Sequence, residues 1–364
     1  MWTSLSGRSP GTYVHCVDRI DQFDGLKEDW DAVYAADRHA TVFVSWAWLR
    51  GWFEVMPYDW CVLVARRRDN SSSPVAFFPL RVDIPGYRLQ MAGNPCADYT
   101  GFVCLPEYQE DAIKSLAAFV QRRLPWDAFY MRDVFDPRLD YLLDCFHHGS
   151  FSVREREGIS CPYIPLPDTW EQYLENFLGP RTRKNVRRCM RRIQEDGELR
   201  ITEVQEDNLH DQIDTFLELY QRRWGPQPEH TLNRFRAVFQ RCFENNYLWL
   251  NVMWAHNTPI SADASFVDRQ KMVVYAYTGG WDDRFADLSP GVMLTMYGIQ
   301  RAIENGFQVY DFMRGSESYK FSFGSEERFN RNVIIVRKSL RLVAKKLVRH
   351  LKAICGSKLR RGCD

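Results

Sequence analysis

Between positions 311 and 320 the sequence gathers an acid, Asp311, a guanidinium, Arg314, a phenol, Tyr319, and an amine, Lys320. A plain connector has no need of such a set. These groups suit transfer of an acyl group to an amine. An alkylammonium has a pKa of about 10 and must lose a proton before it attacks. The tetrahedral oxyanion then needs N–H donors or a cation, and the leaving group needs a proton. Asp311 and Asp263 are the candidate bases. Asp263 lies inside an expected strand, where an inward carboxylate is costly unless it is paired or at work; pointing to solvent, it has neither role. Lys320 is placed to polarise a carbonyl or hold a phosphate, and Tyr319 or Tyr277 to supply a proton. The plainer account of the cluster is an Asp311–Arg314 salt bridge that holds a loop.

A second feature suits anions. Leu288-Ser-Pro-Gly-Val292 opens an expected helix with Ser289 as N-cap and Pro290 at its first position, and Gly306 follows its end. Val292, Met296, Ile299 and Ile303 form its apolar stripe. Gly291 leaves the first backbone N–H groups open to close approach, and such groups bind phosphate well. Upstream, residues 181–192 hold seven Lys and Arg in twelve positions, including Arg183, Lys184 and Arg187. Like charges one turn apart repel by about 0.2–0.5 kcal/mol per pair, so an anion seated on them is stabilising. The alternative is a solvated face balanced by Glu195, Asp196 and Glu198.

The elements that must position these residues read as mixed α/β. In the first half, helices are expected at 22–34, from 45 and at 110–124. Strands are expected at 60–65, 75–82, 87–91, 99–104 and 128–132, with Pro79 suggesting an edge or a bulge. A Pro-rich connector ends near 165. The second half brings helices at 170–177, 181–195, 209–223 and 233–244 and a short strand at 199–203. A three-stranded antiparallel meander follows at 248–255, 259–267 and 271–278. Pro74-Val75-Ala76 and Pro259-Ile260-Ser261-Ala262 open comparable strands, which suggests an internal duplication.

The chain has 364 residues, 45% hydrophobic and 14% aromatic, enough for two packed domains. Net charge is +1, which gives no general field for DNA. Residues 337–364 nevertheless hold ten Lys and Arg against one acid, which leaves an acidic body of 38 basic and 46 acidic residues. Leu340, Val343, Leu347, Leu351 and Ile354 make this tail a basic amphipathic helix, suited to docking on its own domain or to peripheral membrane contact. The scattered cysteines lack zinc spacing, so no metal is expected, and no apolar leader is seen; a cytoplasmic location follows.

Several pieces carry a family resemblance: Trp46-Ala-Trp48, the 74–80 strand, Asp98-Tyr99, Arg183-Lys-Asn-Val-Arg-Arg188, Leu288-Ser-Pro-Gly291, and Asp311-Phe-Met-Arg-Gly315 with Tyr319-Lys320. In order and spacing they resemble the CelD/BcsL-type acetyltransferases of the GNAT superfamily, relatives of the FemAB peptidyltransferases. The resemblance implies two tandem GNAT-like domains, 1–165 and 166–337, each a mixed, mostly antiparallel twisted sheet flanked by helices, followed by the 338–364 tail. It implies a cleft between them and an acyl donor held by the second domain. Acyl-CoA is the expected co-substrate, held by Ser289, Pro290, Gly291, Val292, Arg314, Arg183, Lys184 and Arg187. Asp98, Tyr99 and Trp46 are expected to face an amine acceptor, a small molecule or an envelope or exopolysaccharide precursor. The turn at 289–291 holds one Gly where the usual GNAT pyrophosphate loop has two small residues. That departure leaves room for an aminoacyl-tRNA donor, as in FemAB relatives, or for a catalytically silent binding subunit.

Overall fold

The computed structural model describes residues 11–69, 72–83, 87–147, 149–194 and 199–338. The expected amphipathic helix of the tail lies outside them. The first half contains strands β1 Thr12–Val17, β2 Asp59–Arg67, β3 Pro74–Asp83, β4 Arg88–Met91, β5 Val103–Cys104, β6 Ala128–Val134, β7 Phe151–Arg156 and β8 Tyr163–Pro165. Its helices are α1 Ile20–Asp24, α2 Lys27–Ala36, α3 Trp46–Val55, α4 Gln109–Arg123 and α5 Leu139–Asp144. The second half has α6 Trp170–Asn176, α7 Pro180–Gln194, β9 Leu199–Glu203, α8 Leu209–Trp224, α9 Glu229–Glu244, β10 Leu248–Ala255, β11 Thr258–Asp268 and β12 Val273–Trp281. Then come α10 Pro290–Glu304, β13 Val309–Asp311, α11 Ser318–Phe321 and β14 Arg331–Arg337. No helix of the described residues is long and apolar enough to cross a membrane.

Both halves use one plan. β1-β2-β3-β4 form an antiparallel meander, and β6 joins β4 in parallel after α4. β9-β10-β11-β12 form a second meander, and β13 joins β12 in parallel after α10. The strands opening at Pro74 and just before Pro259 are the third of each meander, so the shared Pro-(Val/Ile)-Ala pattern marks equivalent places. The fold is two tandem mixed sheets flanked by helices.

The sheets trade strands across the boundary near 165. β8, still within 1–165, pairs with β13 in the second sheet, while β14, within 166–337, enters the first sheet between β6 and β7. Neither sheet is complete without a strand from the other stretch of chain.

Three local expectations change. The helix at 22–34 breaks around Gly25 into α1 and α2. The strand at 99–104 shrinks to Val103–Cys104. Pro79 is neither at an edge nor at a bulge: it sits opposite Val62, in the interval between the short partners β5 at 76–77 and β4 at 80–83. No partner strand asks for an N–H there, so the proline costs no ladder bond.

The halves are welded by one aromatic core. Trp30, Phe43, Trp48 and Trp52 share a cluster with Phe216, Phe235, Phe239, Phe266 and Tyr275. α3 lies so close on α9 that a Cβ at Gly51 would stand 2.7 Å from Val238 Cα. Trp46 belongs to this packing. It is buried, stacks on Phe23 with ring centroids 5.9 Å apart, and its indole N–H donates to Phe23 O at 3.2 Å. It is therefore a core residue and faces no acceptor.

Candidate active site

The second sheet splits along one line. β12 pairs with β13 only at Val273–Val309, Val274–Tyr310 and Tyr275–Asp311. Just after Ala276, the β11–β12 register shifts, with Tyr277 as the extra residue. Such a bulge bends and twists its strand. The chain beyond β13 stays with the β8 side instead: Phe312 N–H donates to Pro162 O and Gly315 N–H to Ser160 O, both at 2.9 Å. A wedge-shaped gap opens between β12 and this ribbon. Residues 276–279 are partly open to solvent although their strand is in mid-sheet.

α10 begins at the wide end of the gap. Its 288–291 sequence starts a helix as expected, with Pro290 in the first turn and Gly306 at φ +75° after the end. Ser289 differs from expectation: it is left-handed at φ 52°, and its side chain caps nothing. The first turn depends on proline's fixed φ, with Met293 N–H donating to Ser289 O at 3.2 Å. Val292 is 43% exposed. A Cβ on Gly291 would lie 3.4 Å from the Trp281 ring, and the Arg223 guanidinium sits 4.1 Å from that ring's centroid. Trp281 and Arg223 escaped the sequence reading, because α8 meets the end of β12 only in the fold.

A polar row crosses the sheet under α10. Glu203, Asn251, Asp263 and Gly279 stand opposite one another on β9, β10, β11 and β12. Asn251 Nδ2 donates to Asp263 Oδ1 at 3.1 Å, and Arg301 donates to Asn251 Oδ1 at 3.1 Å and to Glu203 Oε2 at 2.6 Å. Tyr297 donates to Glu203 Oε1 at 2.5 Å. Burial pushes the Asp263 carboxyl up to about 7, against the pull of the Asn251 amide and the Arg301 charge. On the gap side its neighbour is Gly279, which has no side chain to cover it. Asp263 is thus a carboxyl poised near neutrality and partly open to solvent.

The other expected site residues hold the apex of the gap together. Asp311 is fully buried. It accepts from Tyr99 OH at 2.9 Å, Met313 N–H at 2.8 Å and Arg328 Nη2 at 2.5 Å. Burial raises its pKa and the Arg328 charge opposes the rise. Asp311 is therefore an anchor, buried and held by three donors. Tyr99 is likewise buried and committed. Arg314 does not pair with Asp311. Its Nε lies 2.9 Å from Asp98 Oδ1 and its Nη1 2.8 Å from Asp133 Oδ2, so it clamps the halves instead of holding a phosphate. Lys320 is buried, with Nζ donating to Arg314 O at 2.7 Å and paired with Glu317 at 2.9 Å; it braces the 314–317 turn. Tyr277 OH donates to Cys96 O at 3.0 Å. Tyr319 is 50% exposed and packs its ring on Phe312 and Phe323. The structure thus brings Tyr99, Asp98, Asp311, Arg314 and Lys320 together as a brace, and places Asp263 apart from them on the α10 face.

The α7 basic residues divide. Arg183 caps carbonyls, donating to Glu175 O at 2.9 Å and Leu178 O at 3.2 Å, and Arg187 pairs with Glu171 at 2.8 Å. Lys184 is exposed. Arg183 and Arg187 thus have partners within the protein. Among the described residues no group of His, Cys, Asp and Glu is disposed to hold a metal ion.

With this geometry in hand, comparison with known proteins is informative. Residues 180–321 match the acetyltransferase (GNAT) domain family model. No curated protein matches the chain by sequence. Among solved structures, FemX is similar at TM-score 0.62 and 12% identity, over 84% of this chain and 95% of that one. The C-terminal domain (DUF2156) of a putative lysylphosphatidylglycerol synthetase from Agrobacterium fabrum is similar at TM-score 0.55 and 11% identity, over 90% and 95%. L-PGS from Bacillus licheniformis follows at 0.54 and 10%, over 89% and 95%. At these identities the likeness is one of fold.

Proposed function

We propose that this chain, which has a GNAT-superfamily, FemAB-related fold and carries an acyltransferase-type domain, transfers an acyl group from acyl-CoA to an amine. The observation that carries the reading is the split between β12 and β13 with Asp263 looking into it across Gly279. In this reading the pantetheine arm lies in the gap, and the pyrophosphate meets the first amides of α10 beside Arg223 and Trp281. The unpaired edge of β12 offers backbone N–H groups to the oxyanion. Asp263 takes a proton from the attacking ammonium, directly or through one water, as a base matched to neutral pH. Tyr319, half-exposed at the Phe312 side of the gap, is the phenol left to protonate the departing thiolate. The acceptor, an amine of a small molecule or envelope precursor, is proposed to enter from the side of the first half.

A second reading has its own support. The likeness to FemX covers most of both chains, and an aminoacyl-tRNA donor, as in FemAB relatives, would place its ester at the same gap.

Titration calorimetry with acetyl-CoA and longer acyl-CoAs separates the two. Binding to the full chain is expected for at least one acyl length, and no binding across the series sinks the CoA reading. Val292→Glu supplies a sharper check. A first-turn carboxylate suits the helix dipole, so thermal stability should hold or rise slightly. The same charge repels a phosphate, so acyl-CoA should bind about tenfold more weakly, a loss of about 1.4 kcal/mol. Unchanged affinity would place the phosphates elsewhere.

A further inference from the structure

We infer that α7 is a docking ridge for an anionic lipid surface. Its 15 residues include seven Lys and Arg and no acid. Three of these are absorbed or partly covered: Arg183 by carbonyls, Arg187 by Glu171, and Arg192 by partial burial. Arg181, Lys184, Arg188 and Arg191 are exposed. Their spacing of three, four and three residues puts them on one face, over about 15 Å of helix. Among the described residues none of the four meets a carboxylate.

On several other helices basic residues do meet acids. Lys27 pairs with Asp31, Arg50 with Asp24 and Glu54, Lys114 with Glu110, Arg222 with Glu218, Arg236 with Asp214, and Arg241 with Glu54 and Glu244.

Two observations favour a lipid surface over a nucleic acid. The cations stand on a convex helix ridge, which meets a plane; a strand of RNA is held by a trough with charge on both walls. Beside the ridge lie exposed aromatic rings. The segment carrying Tyr319, 50% exposed, and Phe321, 39% exposed, packs on the turn that launches α7. Tyr173 OH donates to Phe323 O at 2.9 Å, and the Gly324 Cα faces Phe177 O so closely that a Cβ would be 2.6 Å from it. Cations flanked by Tyr and Phe are the composition of an interfacial contact. Docking does not depend on the transferase reading; if both hold, the gap beside α10 works close to the membrane plane.

The test uses the full chain with its basic tail intact, so that the nine cations of residues 338–364 are common to every sample. Flotation is measured with vesicles of phosphatidylcholine alone and with 30% phosphatidylglycerol. The parent should bind the anionic vesicles only, and less as salt rises. Arg181→Gln, Lys184→Gln, Arg188→Gln and Arg191→Gln together should lower that partitioning by several hundredfold, since each cation near an anionic leaflet contributes about fivefold and the four factors multiply to about 600. Gln keeps helix propensity, and the positions are exposed. Hydrogen exchange of the parent, which needs no variant, should show slowed amides across 180–194 on anionic vesicles. Partitioning unchanged by the four substitutions, or exchange unchanged on α7, overturns the inference. So does a result in which the substitutions abolish binding of a short RNA and leave vesicle binding intact.

Discussion

Asp263→Asn is expected to lower kcat/KM by about 10²–10⁴ for whichever acyl-CoA and amine pair turns over, with acyl-CoA affinity nearly unchanged. Asn keeps the volume and can still accept from the Asn251 amide; what it cannot do is take a proton. In the parent, kcat/KM should climb with pH and level off above about 7, as burial holds the carboxyl protonated below that point. The variant should lose that rising limb. A variant that keeps the limb assigns the base elsewhere.

The same substitution should stabilise the fold. A carboxyl whose folded pKa is raised binds its proton more tightly in the folded state. Its ionisation therefore costs stability as pH rises from about 4 to about 7, and the cost is complete above 7. At about 1.4 kcal/mol per unit the full shift is on the order of 4 kcal/mol, and partial exposure of the group reduces it. Asp263→Asn escapes the cost, so unfolding at pH 8 should show a more stable protein, and unfolding at pH 4 should show little change. Loss of activity with gain of stability is what a strained functional group predicts. Loss of both would make Asp263 a structural residue.

Much of this was legible in the sequence where the signal is local. The meander strands at 248–255, 259–267 and 271–278 alternate between turn residues and apolar runs, and they are found as β10, β11 and β12. The start and stop of α10 are written in Pro290 and Gly306. The tandem plan showed through because Pro74 and Pro259 open equivalent strands. What escaped is long-range. Nothing in Ala-Tyr-Thr at 276–278 announces a bulge; it follows from the pairing with β11. The choice of ion partners is set by the fold: Asp311 takes Arg328, while Arg314 reaches 216 positions back to Asp98. Strand exchange by β8 and β14 has no local signature either. For Asp263, alternation left both faces open. A signal was available in Gly279-Gly280, two residues with no side chain in an otherwise well-filled strand, and the register shows that the first of them uncovers Asp263.

Arg314→Met tests whether the halves are held as the structure shows. Arg314 is the shared partner of Asp98 and Asp133, the latter with a side chain only 3% exposed. Burial already raises both carboxyls, and the guanidinium is what opposes the rise. Removing it leaves two neighbouring carboxylates without their cation, a change that costs about 3–5 kcal/mol when a buried pair is broken. The loss should depend on pH in a defined sense. With the cation gone, both folded pKa values move further up, so the penalty grows as pH rises and falls when the carboxyls can take a proton. Urea unfolding should therefore show a larger deficit at pH 8 than at pH 5. Arg314→Lys should recover only part, because a single ammonium cannot span both acids as the planar fork does. Since Lys320 Nζ donates to Arg314 O and Gly315 N–H to Ser160 O, loosening this segment should also blunt the wedge beside β13, with weaker acyl-CoA binding in the variant even where it remains folded. An equal deficit at both pH values would mean that packing, and not the ion pairs, joins the two halves at this point.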